Sequence, residues 1–402
     1  MWRLLFCYRL SGALALVALF SEATLQGASA QYAQTDLTST FPGVANNTDP
    51  NLVEPTGMAF NGTSPIWIAN QGAGVATLYS GSGQPQSLVV TVPNSSPTGA
   101  VFNSTNSTGP FQVTDGTHTA PGIFLFATTS GQIQGWNPGV NATQTEIGFT
   151  SPTPNAMYTG LALATPANQP TLYATDFSNS KVDAINGSFT SATITGNFSD
   201  PNLPAKYAPF NIANLNGNLF VSYALQNTTG TSAVPGAGNG LIDVFNSEGI
   251  LLSRLVSNGG PLNEPWGMTI APGTFGQFAG DLLVGNHGDG TIDAFNPSTG
   301  AFLGELRDAM GNPIVNTALW GLAFDPTAAG SGFDPNGLFF TATLDETIDF
   351  MGQSFDETGG LFGQISPTAG ETPIPATLPL FATGIGGLGL LGWRRRRKAQ
   401  AV

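Results

Sequence analysis

Between residues 31 and 367 the chain alternates short apolar runs with clusters of Gly, Asn, Asp, Ser and Thr. No apolar stripe of 3.6-residue period is long enough for an amphipathic helix, so the pattern predicts strands joined by turns. These runs recur in a fixed order. The first type is EPTGMAF (54–60), SPTGAVF (96–102), MYTGLAL (157–163) and EPWGMTI (264–270), with YAPFNIA (207–213) and ALWGLAF (318–324) as looser copies. A second type follows, as in IWIANQG (66–72), TLYATDF (171–177) and LLVGNHG (282–288), and then a third, as in KVDAING (181–187), GLIDVFN (240–246) and GTIDAFN (290–296).

Six copies of one strand order predict an all-β fold, a six-bladed β-propeller over residues 31–367. Measured from positions 57, 99, 160, 211, 267 and 321, the intervals are 42, 61, 51, 56 and 54 residues, so the excess over a compact repeat falls in loops. A fourth strand is expected at 87–92, 145–150, 191–196, 251–256 and 302–307, and the sixth copy lacks one. YAQTDLTST (32–40) supplies the match, which predicts that the N-terminal strand closes the ring. Gly57, Gly99, Gly160, Gly267 and Gly321 are expected to admit close approach of the inner strands around the central channel.

Two segments fall outside this pattern. Arg3 and Arg9, the apolar stretch Leu14–Phe20 and Ala28-Ser29-Ala30 read as a signal peptide over residues 1–30. Residues 368–402 read as a linker, an uncharged span from Ile374 to Trp393 and the basic cluster Arg394, Arg395, Arg396, Arg397 and Lys398. As a helix those twenty residues span about 30 Å, a bilayer's hydrocarbon core, with the basic end in the cytoplasm. The predicted body faces outward. It holds four cations, Lys181, Lys206, Arg254 and Arg307, against twenty-three acids, a net charge of −19. Such a surface repels phosphate backbones and argues against nucleic-acid partners. The single cysteine, Cys7, lies in the predicted leader, so the mature body offers no disulfide or thiolate chemistry.

The tail, with Pro373-Ile374-Pro375, a Gly-rich span and the Arg-rich end, resembles the PEP-CTERM sorting signal of Gram-negative bacteria, with Ile374 where that signal's namesake has Glu. The resemblance implies processing by an exosortase, by way of a membrane-anchored intermediate, and display at the cell surface or in the extracellular matrix. The repeats, best in EPTGMAF with IWIANQG, EPWGMTI with LLVGNHGDGTIDAFN and the closing GLFGQIS (360–366), resemble exported bacterial propellers distantly like NHL-repeat and gluconolactonase-type proteins.

Chemistry is sparse. There is no Gly-x-Ser-x-Gly elbow, phosphate-binding loop or His-Glu-x-x-His motif, and only two histidines, His118 in a polar insertion and His287 after a second strand. Ring symmetry suggests one constellation. Asn70, Asp176, Asn286 and Asp345 end second strands, and Glu54 and Glu264 precede first strands, so their oxygens could meet at one channel mouth and hold Ca²⁺. The gluconolactonase-type resemblance implies such a metal activating substrate or water, and His287, taken as a general base beside it, would make a lactonase or lyase. The structural alternative is that Asn and Asp end strands because their side chains satisfy turn backbones. Nine Asn-x-Ser/Thr sequons between Asn46 and Asn227 follow from Asn/Thr-rich loops. Two classes of function stand: an exported non-catalytic propeller presenting loops to a glycan or matrix component, which the shortage of His and cations favours, or a Ca²⁺-dependent hydrolase or lyase.

Overall fold

A computed structural model describes residues 31–94, 96–324, 334–344 and 358–368. Contacts divide the chain into Ala30–Gly370, which contains all of these, and a second unit of Met1–Ser29 with Glu371–Val402. The predicted leader, the Pro373-Ile374-Pro375 motif, the apolar span and Arg394 to Arg397 lie outside the described residues, as does Asp345. Among the described residues no helix is long and apolar enough to cross a membrane.

Six antiparallel sheets form the blades of a β-propeller. Blade 1 runs from the inner strand Pro55–Ala59 through Ile66–Asn70 and Val75–Tyr79 to Pro85–Thr91. Blade 2 comprises Pro97–Phe102, Phe124–Thr128, Gln132–Trp136 and Glu146–Thr150, blade 4 Tyr207–Leu215, Asn218–Leu225, Gly240–Phe245 and Leu251–Val256, and blade 5 Pro265–Ile270, Leu282–Asn286, Ile292–Phe295 and Phe302–Glu305. Blade 6 joins Leu319–Ala323, Leu338–Leu344 and Gly359–Pro367 to the N-terminal strand Tyr32–Ser39. That strand pairs antiparallel from Tyr32↔Pro367 to Ser39↔Leu361, which is the predicted closure.

Blade 3 departs from expectation. It has three strands, Tyr158–Ala164, Thr171–Asp176 and Lys181–Asn186, and the fourth expected at 191–196 is reduced to a bridge between Ile185 and Ser191. The chain instead leaves for blade 4. Gly196 and Phe198 donate their N–H groups to the carbonyls of Glu248 and Gly249, and the Phe198 ring packs on Phe245 and Tyr173. Burial of that ring, worth about 1.5–3 kcal/mol, outweighs extension of a short outer strand. Blade 2 carries an added hairpin, Gln112–Thr114 with Thr119–Pro121, whose turn holds the exposed His118.

Six apolar seams, one between each pair of neighbouring blades, and a seventh cluster with Phe177, Phe210 and Trp266 make up the core. Trp67 meets Phe124 at 4.4 Å between blades 1 and 2, while Leu161 and Leu172 pack with Leu125 and Ile133 between blades 2 and 3. The last seam, blade 6 to blade 1, holds Phe339 and Phe362 with Ile66 and Ile68.

Inner strands crowd the axis. A Cβ on Gly57 would sit 2.4 Å from Thr98 O, on Gly99 2.4 Å from Leu161 N, on Gly267 2.5 Å from Trp320 O and on Gly321 2.7 Å from Thr56 O. Each glycine thus abuts the backbone of the next blade, as expected from sequence. Blade 4 has Asn211 there, whose Nδ2 donates to Trp266 O of blade 5 at 2.7 Å.

Candidate functional site

Every inner strand shifts register beside this crowded position, for example between Pro55 and Met58, Tyr158 and Gly160, and Pro265 and Met268. Such bulges re-aim side chains relative to simple alternation. At the mouth where inner strands begin, the residue after the second strand of blades 1, 2, 3 and 5 donates its N–H to the connection that precedes the inner strand. These bonds are Gln71 to Glu54 O, Thr129 to Ser96 O, Phe177 to Met157 O and His287 to Glu264 O, each 3.0 Å. Glu54 and Glu264 sit at this corner with φ of 47° and 51°, a left-handed conformation that costs an L residue about 1–2 kcal/mol.

The hydrogen bonds pin a ring of side chains around a cavity of about 270 Å³. Gln71, Thr129, Phe177 and His287 line it from the second strands, and Thr56, Thr98, Thr159, Phe210 and Trp320 from the inner strands. Glu264 and Met157 complete the corner, while Thr231, Ser232 and Ala233 of the 226–239 loop cover it. The rings form a continuous wall. Phe177 and Phe210 lie 5.3 Å apart, Phe210 and Trp320 5.8 Å, and His287 lies tilted against Trp320 at 4.0 Å. Trp266, from blade 5, donates its indole N–H to Thr159 O of blade 3 at 3.0 Å and meets Trp320 edge-on. It lines a separate cavity of about 410 Å³ at the opposite mouth, so the indole crosses the channel between the two.

Two groups in the upper cavity lack partners. Glu264 is 4 % exposed, and among the described residues its carboxyl has no hydrogen-bond or ion-pair partner. Burial, reinforced by the nearby Asp289 charge, pushes its pKa up to about 7. His287 Nδ1 is buried and unbonded, and burial lowers the ring's pKa to about 4 against support from the backbone of Leu319 and Ala318, so the imidazole is neutral at pH 7.

The other residues marked in the sequence face elsewhere. Asp176 accepts the Met157 N–H at 3.1 Å and bonds Asn179, Asn70 bonds Thr77 at 2.8 Å, and Asn286 bonds Asp293 at 2.8 Å and accepts the Asn263 N–H. These side chains lock strand ends to the adjoining turns. Glu54 packs beside Gly72 without lining the cavity. The structure therefore brings Glu264 and His287 together, whereas Asn70, Asp176 and Asn286 bond behind them. Among the described residues no group of three or more His, Cys, Asp or Glu side chains is placed to hold a metal. The aromatic wall, Phe177, Phe210 and Trp320, was not singled out from sequence. Its signal was the bulky residue just before the inner-strand glycine or its substitute in blades 4 and 6.

The fold and cavity place the chain among six-bladed propellers with a closed ring and one polar-rimmed aromatic mouth. It belongs to the family of two mimivirus proteins. The uncharacterized protein R648 of Acanthamoeba polyphaga mimivirus is 35% identical over 323 residues, covering 78% of this chain and 77% of that one. The uncharacterized protein L690 of the same virus is 30% identical over 318 residues, covering 76% and 80%. These relatives are viral and lend no support to the bacterial source expected from the tail. No protein-family model matches the chain. Among solved structures, virginiamycin B lyase from Staphylococcus aureus aligns at a TM-score of 0.49 and 10% identity, over 84% of this chain and all of that one, a likeness that carries no functional inference.

Proposed function

We propose that this protein is an exported, non-catalytic binding propeller whose ligand site is the cavity walled by Phe177, Phe210 and Trp320. The observation that carries this reading is an aromatic cavity with two unpaired buried polar groups, Glu264 and His287 Nδ1, converging on it. Apolar walls with a few fixed polar groups are the usual make-up of a small-ligand pocket. Export rests on the signal-like leader, and sorting to a surface or matrix, by an exosortase-type protease, on the PEP-CTERM-like tail. There the loops would meet an extracellular glycan or matrix component.

An enzyme is the second reading. In its favour, a carboxyl near pKa 7 and a neutral imidazole share the cavity, protonation states that suit acid–base chemistry at neutral pH. Ca²⁺ fits less well, because only one of the marked carboxylates among the described residues lines the cavity.

A thermal-shift screen of sugars, amines, carboxylates and Ca²⁺ tests the binding reading. A ligand at a hundredfold excess over Kd adds about 2.7 kcal/mol to the folded state, a readable rise in Tm. The rise is expected in the wild type and not in Ala233→Trp, which fills the cavity from its rim. Equal shifts in both proteins would move the ligand site elsewhere, and a rise with Ca²⁺ alone would favour the enzyme.

A further inference from the structure

The cavity's chemistry narrows what it can take. Its wall is a run of four rings in tilted contact, Phe177, Phe210, Trp320 and His287, of which Phe177 is fully buried and the last is uncharged at neutral pH. Among the described residues the one ionisable acid lining it, Glu264, is buried with no cation beside it. Among the described residues no Lys or Arg lines the cavity, and the loop over it, 226–239, contains no charged residue. Burying a carboxylate without a countercharge is costly, and a ligand that supplies the charge removes the penalty. Aromatic faces attract cations for the same electrostatic reason. A neutral or anionic ligand would bring the carboxylate no countercharge.

We infer that the cavity binds a small alkylated ammonium compound, with the cationic head against Phe210 and Trp320 and its charge on Glu264. This deepens the binding reading above and rests on it. An alkylated head is favoured over a primary amine because the Phe210 and Trp320 rings it meets offer no acceptors, the oxygens of Gln71, Thr129, Thr231 and Ser232 lying elsewhere on the lining. The Thr56, Thr98 and Thr159 hydroxyls are already engaged within and between the blades, and a primary ammonium has three N–H groups to satisfy. At about 270 Å³ the space is near the small end of ligand pockets, roughly 300–1,000 Å³. The body's net negative charge also draws cations toward its surface.

The test is calorimetric titration of the full chain with choline and with 3,3-dimethyl-1-butanol, its uncharged isostere. Choline is expected to bind at least about tenfold more tightly than the alcohol, a difference that Glu264→Gln narrows to what the rings alone supply. Affinity for choline should fall about tenfold from pH 8 to pH 6 as Glu264 takes up its proton. Among the described residues the other titratable groups facing Glu264 are His287, neutral over this range, and Asp289, which is held by Asn263. If Glu264→Gln does not fold, the isostere and pH comparisons on the wild type decide. Equal binding of alcohol and choline, or choline binding that is indifferent to Glu264 and to pH, would overturn the inference while leaving a binding cavity. Binding of neither, with ligands in the wider screen still sensitive to Ala233→Trp, would also overturn it and spare the binding reading. Silence throughout that screen would remove both.

Discussion

Deletion of residues 31–40 is expected to abolish cooperative unfolding of the ring. The strand Tyr32–Ser39 completes blade 6 through seven paired positions, and without it Gly359–Pro367 becomes an open edge. Tyr32 is 1 % exposed, stacks near Phe275 and Phe278 and donates its hydroxyl to Phe275 O, so it bridges blade 6 to blade 5. Leu37 packs in the seam with Phe339, Phe362 and Ile66. Loss of these two side chains alone removes about 1.5–3 kcal/mol each, against a typical total of about 5–15 kcal/mol. The ladder and the closure of the circle are lost as well. Calorimetry of the truncated chain should show a broad, early transition, with proteolysis beginning in blade 6. A sharp transition at the parent Tm would mean that the ring does not depend on this strand.

Gly99→Ala is the second large effect. The added methyl would sit 2.4 Å from Leu161 N and 2.7 Å from Gly160 C, atoms of the neighbouring inner strand. Backbone held in a ladder cannot step aside as a side-chain tip can, so the cost should reach or exceed the upper end of overpacking penalties, about 3 kcal/mol. Gly273→Ala is the matched control, since a Cβ there meets nothing within 4 Å. Urea midpoints should separate the two variants clearly, with the control within about 0.5 kcal/mol of the parent or slightly above it. Similar midpoints would show that the inner ring has slack.

Much of this architecture was legible because each blade repeats one order of strands, and because glycine recurs where inner strands meet. The closing strand was legible for the same reason: the sixth copy lacked a fourth strand and residues 32–40 had no other partner. The outer strand of blade 3 was not. SATITG has the composition of a strand, but Phe198, just beyond it, finds a better-packed site against blade 4. Composition at 191–196 carries no trace of that competition.

At the channel mouth the sequence reached the right corner and missed the wall. Glu264 and His287 were marked, and both line the cavity. Asn70, Asp176 and Asn286 were marked from the polar ends of the second strands, yet the residues that face the cavity are the next ones, Gln71, Phe177 and His287. Parity at a strand end depends on the pairing register, and every inner strand here carries a register shift. A one-residue offset of that kind is invisible without the ladder. Trp320 and Phe210 read as packing residues from sequence, since nothing in their neighbours separates a channel wall from an inter-blade seam.

Histidine NMR tests the cavity most directly, because the chain has only two histidines and one of them, His118, lies on the exposed blade 2 hairpin. In ¹⁵N-histidine-labelled protein, the His287 ring should stay neutral from pH 8 down to about pH 5, as expected for a ring buried on Trp320. Addition of a compound that stabilises the wild type but not Ala233→Trp should then shift the His287 resonances and leave those of His118 in place. A His287 that titrates near its ordinary value of about 6.5, or one that such a compound leaves unmoved, would contradict the placement of the ligand site.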